Sequence, residues 1–163
     1  MKCLSLWQPW ASAIAVGAKT IETRCWSTSF RGPIAIHAAK RCKKDELIDV
    51  QSSGGWCGAL YDLGVRMGQV ERLWDLLPFG AIVAIATLEE CRPTDTFTVK
   101  TLDTMKCPET LLWTEGLCEA YSWTERMMGD FSPGRYGWVF SQVERLKTPI
   151  PCRGQRQLFE VDI

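Results

Sequence analysis

The sequence predicts an α+β domain that is mostly β, a small mixed sheet or barrel with helices set between its strands. Three observations point there. Apolar, β-branched runs stand at the start, in the middle and at the end of the chain; Gly80 to Leu88 is an almost wholly apolar, β-branched stretch, as a buried strand would be; and helix signals fall between these runs. With 163 residues, 46% hydrophobic and 23% charged, the chain is expected to fold as one domain, 1–163, and is too apolar to be a disordered tail.

Cys3 to Leu6 opens as a short strand closed by Gln8-Pro9. Pro9 suits the first turn of a helix, Trp10, Ile14 and Val16 supply apolar positions, and Gly17 is a natural stop, so residues 9–17 read as a two-turn helix. Lys19 to Arg24 alternates and is rich in β-branched residues. It predicts a strand with Thr20, Glu22 and Arg24 on one side and Lys19, Ile21 and Thr23 on the other. Arg31-Gly32-Pro33 turns into a second strand, Ile34 to Ala38.

Beyond it the basic cluster Lys40-Arg41-Cys42-Lys43-Lys44 leads into an acidic segment, Asp45 to Val50, readable as helix, and Ser52 to Gly55 reads as a loop. Val70, Leu73, Trp74 and Leu77 recur at helical spacing until Pro78 ends the run. Gly80 to Leu88 is the expected central strand, and Leu112 to Met128 is a further amphipathic, helical region. Gly129 to Arg135 packs two glycines and a proline into seven residues, which makes it a loop. Tyr136 to Val143 returns as a strand, Pro149-Ile150-Pro151 reads as a turn, and Leu158 to Val161 closes the domain.

Net charge is zero, yet residues 1–44 carry +7, residues 45–130 carry −9 and residues 131–163 carry +2. A fold that sets the two ends side by side would gather a basic face of the kind a nucleic acid binds, whereas scattered ends would cancel it. No stretch approaches 18 apolar residues, and Met1-Lys2-Cys3-Leu4 runs into Leu6 and Trp7 without the apolar core of a signal peptide. Neither a membrane span nor secretion is expected. Eight cysteines without a C-x-x-C pair, beside the single His37, read as reduced, mostly buried thiols of a cytoplasmic protein with no metal and no organic cofactor. His37, between Ile36 and Ala38, reads as a core or pocket-rim histidine.

The densest chemical signal is Gly17-Ala-Lys19-Thr-Ile-Glu22-Thr-Arg24, where a helix stop is followed by three charged side chains. Lys19 and Arg24 can grip a phosphate or carbonyl while Glu22 accepts from a base edge or orients a cation; the same spacing also suits a surface salt-bridge ladder. Trp7, Trp10 and Trp26 bracket the segment. An indole beside a basic pocket can stack a base for about 1–3 kcal/mol, and Trp10 is the candidate, while Trp74 and Trp138 read as core. Arg135 follows a Ser-Pro-Gly turn and either offers its guanidinium to a phosphate or starts a surface strand. Lys40 to Lys44 either extends a path for RNA or forms a solvated face.

Three motifs, L-S-L-W-Q-P-W-A at residues 4–11, the G-x-K-x-x-E-x-R of Gly17 to Arg24, and R-G-P-I-A-I-H-A at residues 31–38, together resemble the ASCH domain, of which G-x-K-x-x-E-x-R is the signature. Gly129 to Tyr136 and the closing Pro151 to Phe159 resemble its bacterial and phage branch. The resemblance implies a PUA-like mixed β-barrel with flanking helices, a cleft bordered by the first helix and the signature strand, and a role tied to RNA or modified nucleosides. Some members are coactivator or RNA-binding modules, one group hydrolyses the amide of N4-acetylcytidine, and others act as ribonucleases. Carried onto this chain, the signature supplies Lys19, Glu22 and Arg24, with Lys19 and Glu22 as the catalytic residues of an enzyme. The hydrolase group has a lysine matching Lys19 but a threonine where this chain has Glu22. Its further catalytic glutamate has no clear match, leaving Glu109, Glu115 and Glu119 open.

A lysine working as base or nucleophile near neutrality needs its pKa brought from about 10.4 to about 7–8. A neighbouring carboxylate opposes that and a neighbouring arginine assists it. A charged Lys-Glu-Arg cluster suits binding as it stands. The expected function is an RNA- or modified-nucleoside-binding module with Trp10, Lys19, Glu22, Arg24 and Arg135 on a basic cleft. An N4-acetylcytidine-type amidohydrolase is the rival, with a ribonuclease or protein-interaction adaptor behind it.

Overall fold

A computed structural model describes residues 1–41, 76–97 and 125–163. Its elements are β1 (Lys2–Leu6), α1 (Trp10–Ala15), β2 (Ile21–Arg24), β3 (Gly32–Ala38), β4 (Ala81–Pro93), β5 (Tyr136–Pro151) and β6 (Leu158–Glu160), with 3-10 turns at Thr94–Thr96 and Glu125–Met128. The strands form one six-stranded sheet in the order β2-β5-β4-β3-β1-β6. β1 and β3 run parallel, with Leu4 opposite Ile36, and the other neighbours are antiparallel. The sheet curls into the half-barrel of a PUA-like mixed β-fold, the class that the sequence predicts.

Two-residue periodicity sorts the strands into two layers. Leu4, Leu6, Ile34, Ile36 and Ala38 face α1, packing with Ala11 and Ile14 of the helix and with Trp138 and Phe140 of β5. Cys3 and Ala35, one residue out of phase, face the opposite side with Ile82 and Phe159. A register shift between Ile36 and His37 opposite β4 lets Val83 and Ala84 both join the helix side. Trp138 is completely buried and packs edge-on against Trp26 at 4.6 Å, as expected of a core tryptophan.

The short helix is held at both ends. Pro9 stands at its N-cap, just before the first turn, and has no side chain with which to cap it. The buried Gln8 does so instead: its Oε1 accepts from Ser12 N at 3.2 Å, and its Nε2 donates to Ser12 Oγ and to Pro78 O. At the other end Gly17 takes the left-handed conformation (φ 75°). Gly17 N donates to Ile14 O and Ala18 N to Ala13 O, a Schellman ending. Lys19 N also donates to Ala13 O, so β2 starts at Ile21 rather than at Lys19, two residues later than the alternation suggests.

Other boundaries also move. β4 continues past Leu88 to Pro93, because its second half pairs with the start of β5, Glu90 opposite Val139 and Arg92 opposite Gly137. Pro149-Ile150-Pro151 is the end of β5, not a turn. Pro151 stands opposite Ala81, between Ile150, which pairs with Ile82, and Cys152, whose N donates to Gly80 O, a position where a missing N–H costs the ladder nothing. Pro149 lies in the irregular stretch between Arg145 and Ile150. Of the region Leu112 to Met128 only the 3-10 turn Glu125–Met128 is described. The expectations for 42–75, including Cys42 to Lys44, Asp45 to Val50 and Trp74, and those for Glu109, Glu115 and Glu119, lie outside the described residues. Of the four described cysteines, all unpaired, only Cys3 is buried, while Cys25 is exposed. Burial and the nearby Cys152 push the Cys3 thiol up to about 12, which makes it an inert core side chain. No helix among the described residues is long and apolar enough to cross a membrane.

Trp138→Ala empties the centre of the helix-side core and should cost about 3–5 kcal/mol, read as a lowered urea midpoint. A loss below about 1 kcal/mol would mean that the layer is not packed around this ring.

Candidate functional site: a cleft over a buried lysine

The Schellman ending delivers Lys19 into the interior, where it is completely buried. Its Nζ donates to Ile21 O at 2.5 Å and to Met128 O at 2.7 Å. Glu22 Oε2 lies at 3.7 Å and Glu125 Oε2 at 4.0 Å. Every one of these neighbours is an acceptor, which matches the three donors of an ammonium group. Glu125 also stitches the turn to β2. Its Oε1 accepts from both Thr20 N and Thr20 Oγ1, and its Oε2 accepts from Ile21 N at 3.2 Å. Gly129 is required by close approach: a Cβ there would stand 2.8 Å from Phe131 and 3.4 Å from Lys19 Nζ.

Above this buried cluster opens a cleft of about 850 Å³, lined by the β1–α1 connection, β2, the Met128–Asp130 turn, Arg135 and the β5–β6 loop. Trp10, Glu22, Arg24 and Arg135, four of the five residues singled out from the sequence, line it together. Lys19 sits beneath the lining and touches the cleft through Glu22. Glu22 Oε1 is 3.4 Å from Arg24 Nε, so one carboxylate bridges the buried ammonium and the cleft guanidinium. Arg24 Nη2 donates to Ser5 O at 2.6 Å. Across the cleft Arg135 Nη2 donates to Thr23 O at 3.3 Å, and its Nε lies 3.4 Å from Asp130 Oδ2. Hydrogen bonds from Ser132 Oγ and N, with Arg135 adding to them, hold the Asp130 carboxyl below its ordinary range. Trp10 and Trp26 are half-buried and Trp7 is exposed.

The lining therefore carries three guanidinium groups against two carboxylates, one net positive charge and not the strongly basic face that the charge blocks suggest. Three participants escaped sequence reasoning. Glu125 and Asp130 lie more than a hundred residues from the signature and carry no spacing relation to it; the only local signal is the glycine-proline turn that follows Glu125. Arg156, with Gln155 and Gln157, enters from the β5–β6 loop.

His37 belongs to the opposite layer and is 1% exposed, a core histidine as expected. Its Nε2 lies 3.1 Å from Cys152 O, which can only accept, so this nitrogen carries the proton, and Nδ1 accepts from Ser5 Oγ at 2.9 Å. Among the described residues no group of three or more His, Cys, Asp or Glu could hold a metal ion.

The sequence model of the ASCH domain family matches residues 4–147. A stretch of 52 residues is 42% identical to activating signal cointegrator 1 of Homo sapiens, and the same holds for the protein of that name from Mus musculus. The match covers 31% of this chain and 9% of each of those longer proteins.

Two outcomes test this geometry. Lys19→Met leaves Glu22, Glu125 and two carbonyls without their shared donor and should cost about 3–5 kcal/mol, whereas Arg135→Gln, whose partner Asp130 is exposed, should cost less than about 1 kcal/mol. Equal losses would contradict the buried role of Lys19. Burial also holds the His37 imidazole below its ordinary 6.5, so near that pH the unfolded chain takes up a proton that the folded one refuses. The stability contributed by neutral His37 is complete above pH 6.5 and is lost as pH falls through the lower folded value. Urea midpoints measured downward from pH 6.5 should fall in the wild type and fall less in His37→Gln; parallel curves would rule this out.

Proposed function

This chain belongs to the ASCH domain family, a PUA-like family of RNA-binding modules, and from that premise we propose that its cleft receives one unpaired base of an RNA strand or a modified nucleoside. The observation that carries the proposal is the combination on one concave surface of an indole, a carboxylate acceptor and guanidinium donors. Each matches one demand of such a ligand. Trp10 offers a ring face for stacking, and Glu22 accepts from an amino group on a base edge. Arg24, already oriented by Ser5 O and Glu22, donates to a base carbonyl, and Arg135, held by Asp130 and Thr23 O, offers a further donor from across the cleft. Lys19 acts from below, fixing Glu22 so that little side-chain freedom is lost on binding.

Titration of a fluorescein-labelled single-stranded RNA nonamer of mixed sequence, followed by anisotropy, tests this reading. Trp10→Ala should weaken binding about 5- to 150-fold, the range that loss of one stacked base implies. Saturable binding indifferent to Trp10 would remove the stacking role.

A second reading, hydrolysis of an N4-acylated cytidine, draws support from one contact. The Glu125 carboxylate beside Lys19 supplies a second glutamate for the lysine-glutamate pair that such chemistry uses. Against it, Lys19 Nζ is enclosed by carbonyls and carboxylates below the lining. Incubation with N4-acetylcytidine and chromatography for cytidine separates the two readings. The binding reading expects no cytidine; release of cytidine by the wild type but not by Glu22→Gln would transfer the function to hydrolysis.

A further inference from the structure

We infer that Arg156, on the β5–β6 loop, takes a backbone phosphate of the bound RNA, and that the Ser5–His37 pair is the positioning device that holds this loop at the cleft. The inference rests on the reading of the cleft as an RNA site and adds to it the residue that meets phosphate.

The three cleft arginines are not equivalent. Arg24 has Glu22 at 3.4 Å and donates to Ser5 O; Arg135 has Asp130 at 3.4 Å and donates to Thr23 O. A phosphate approaching either must compete with a carboxylate already in place. Arg156 is exposed and, among the described residues, has neither an acidic partner nor a hydrogen bond. The single net positive charge of the lining is in effect its own. A free guanidinium on a cleft wall matches a phosphate diester with no internal pair to break.

An exposed arginine on a mobile loop would be weak grounds, but this loop is anchored at both ends. Before it, Cys152 N donates to Gly80 O at 3.0 Å and Cys152 O accepts from His37 Nε2. After it, Leu158 pairs with Leu4, and Phe159 meets the His37 ring edge-on at 6.2 Å. Between these ends the Gly154 backbone lies against the His37 ring so closely that a Cβ would stand 2.4 Å from its Cε1. Ser5 closes the connection: its Oγ holds His37 Nδ1 while its carbonyl holds Arg24. One residue of β1 thus sets the spacing between the signature arginine and the loop that carries Arg156.

Charge and position can be separated by experiment. With the labelled nonamer between about 50 and 200 mM salt, one phosphate contact corresponds to a slope of about −0.7 in log affinity against log salt. Arg156→Gln should weaken binding at least about fivefold at the lower salt and remove about 0.7 from the slope; Arg156→Lys should keep the slope. Arg153→Gln, an exposed neutralisation on the same loop outside the cleft lining, should change neither. For the positioning pair, His37→Ala should speed amide exchange at 153–157 and weaken RNA binding, with His37→Gln restoring both in part. Wild-type affinity and slope in Arg156→Gln would overturn the phosphate role while the cleft reading stands. Unchanged exchange at 153–157 in His37→Ala would overturn the positioning role. Failure of the wild type to bind the nonamer would overturn the RNA reading itself, and this inference with it.

Discussion

The buried Lys19 ammonium is the interaction on which the cleft depends, because its protons are shared among segments far apart in the chain. One goes to Ile21 O at the start of β2, one to Met128 O at the end of the 3-10 turn, and the third faces Glu22 and Glu125. Taking an ammonium out of water costs several kcal/mol, and only a complete set of acceptors offsets it. That requirement fixes its surroundings. Glu125 must reach back across the chain to the Thr20 and Ile21 amides, and Glu22 must turn one oxygen down to the lysine. The other oxygen, turned toward Arg24, presents the charge pattern that the cleft offers to a ligand.

The sheet serves the same site from the other side. Parallel pairing of β1 with β3 sets Ser5 opposite His37, and antiparallel pairing of β1 with β6 brings the C-terminal loop alongside. Arg24 is thereby restrained by the backbone of the strand whose side chain restrains His37. A cleft with walls tied through so few residues is pre-organised, which favours affinity by limiting the ordering that binding requires. Its charge is nearly balanced, so the proposed recognition would rest on directed hydrogen bonds and stacking more than on long-range attraction.

Local chemistry explains which parts were legible in the sequence. The strands at Ile34 to Ala38 and Gly80 to Leu88 announce themselves because both faces are covered and nearly every residue is apolar. Gly17 was readable as a helix stop because its left-handed conformation is one that glycine supplies at little cost. The signature gave Glu22 and Arg24 their place, with Trp10 nearby in sequence and Arg135 at a turn. The strand at Pro149 to Pro151 was not legible, since proline is tolerated there only by virtue of its position relative to β4, a tertiary fact. The depth of Lys19 was hidden for the same reason: alternation puts it on a strand face, whereas the helix ending turns it inward to acceptors contributed by residues 125 and 128. Glu125 and Arg156 join the site through long-range packing that no spacing encodes.

RNA is proposed to lie in the cleft above Lys19, between Trp10 and the β5–β6 loop. Photo-crosslinking of a 4-thiouridine-containing single-stranded RNA nonamer, with the adducts mapped by mass spectrometry, tests it most directly. Adducts are expected at residues 7–10, 24–26 and 155–157, abolished by excess unlabelled RNA. Adducts confined to the opposite layer of the sheet, or spread without competition over the whole surface, would contradict it.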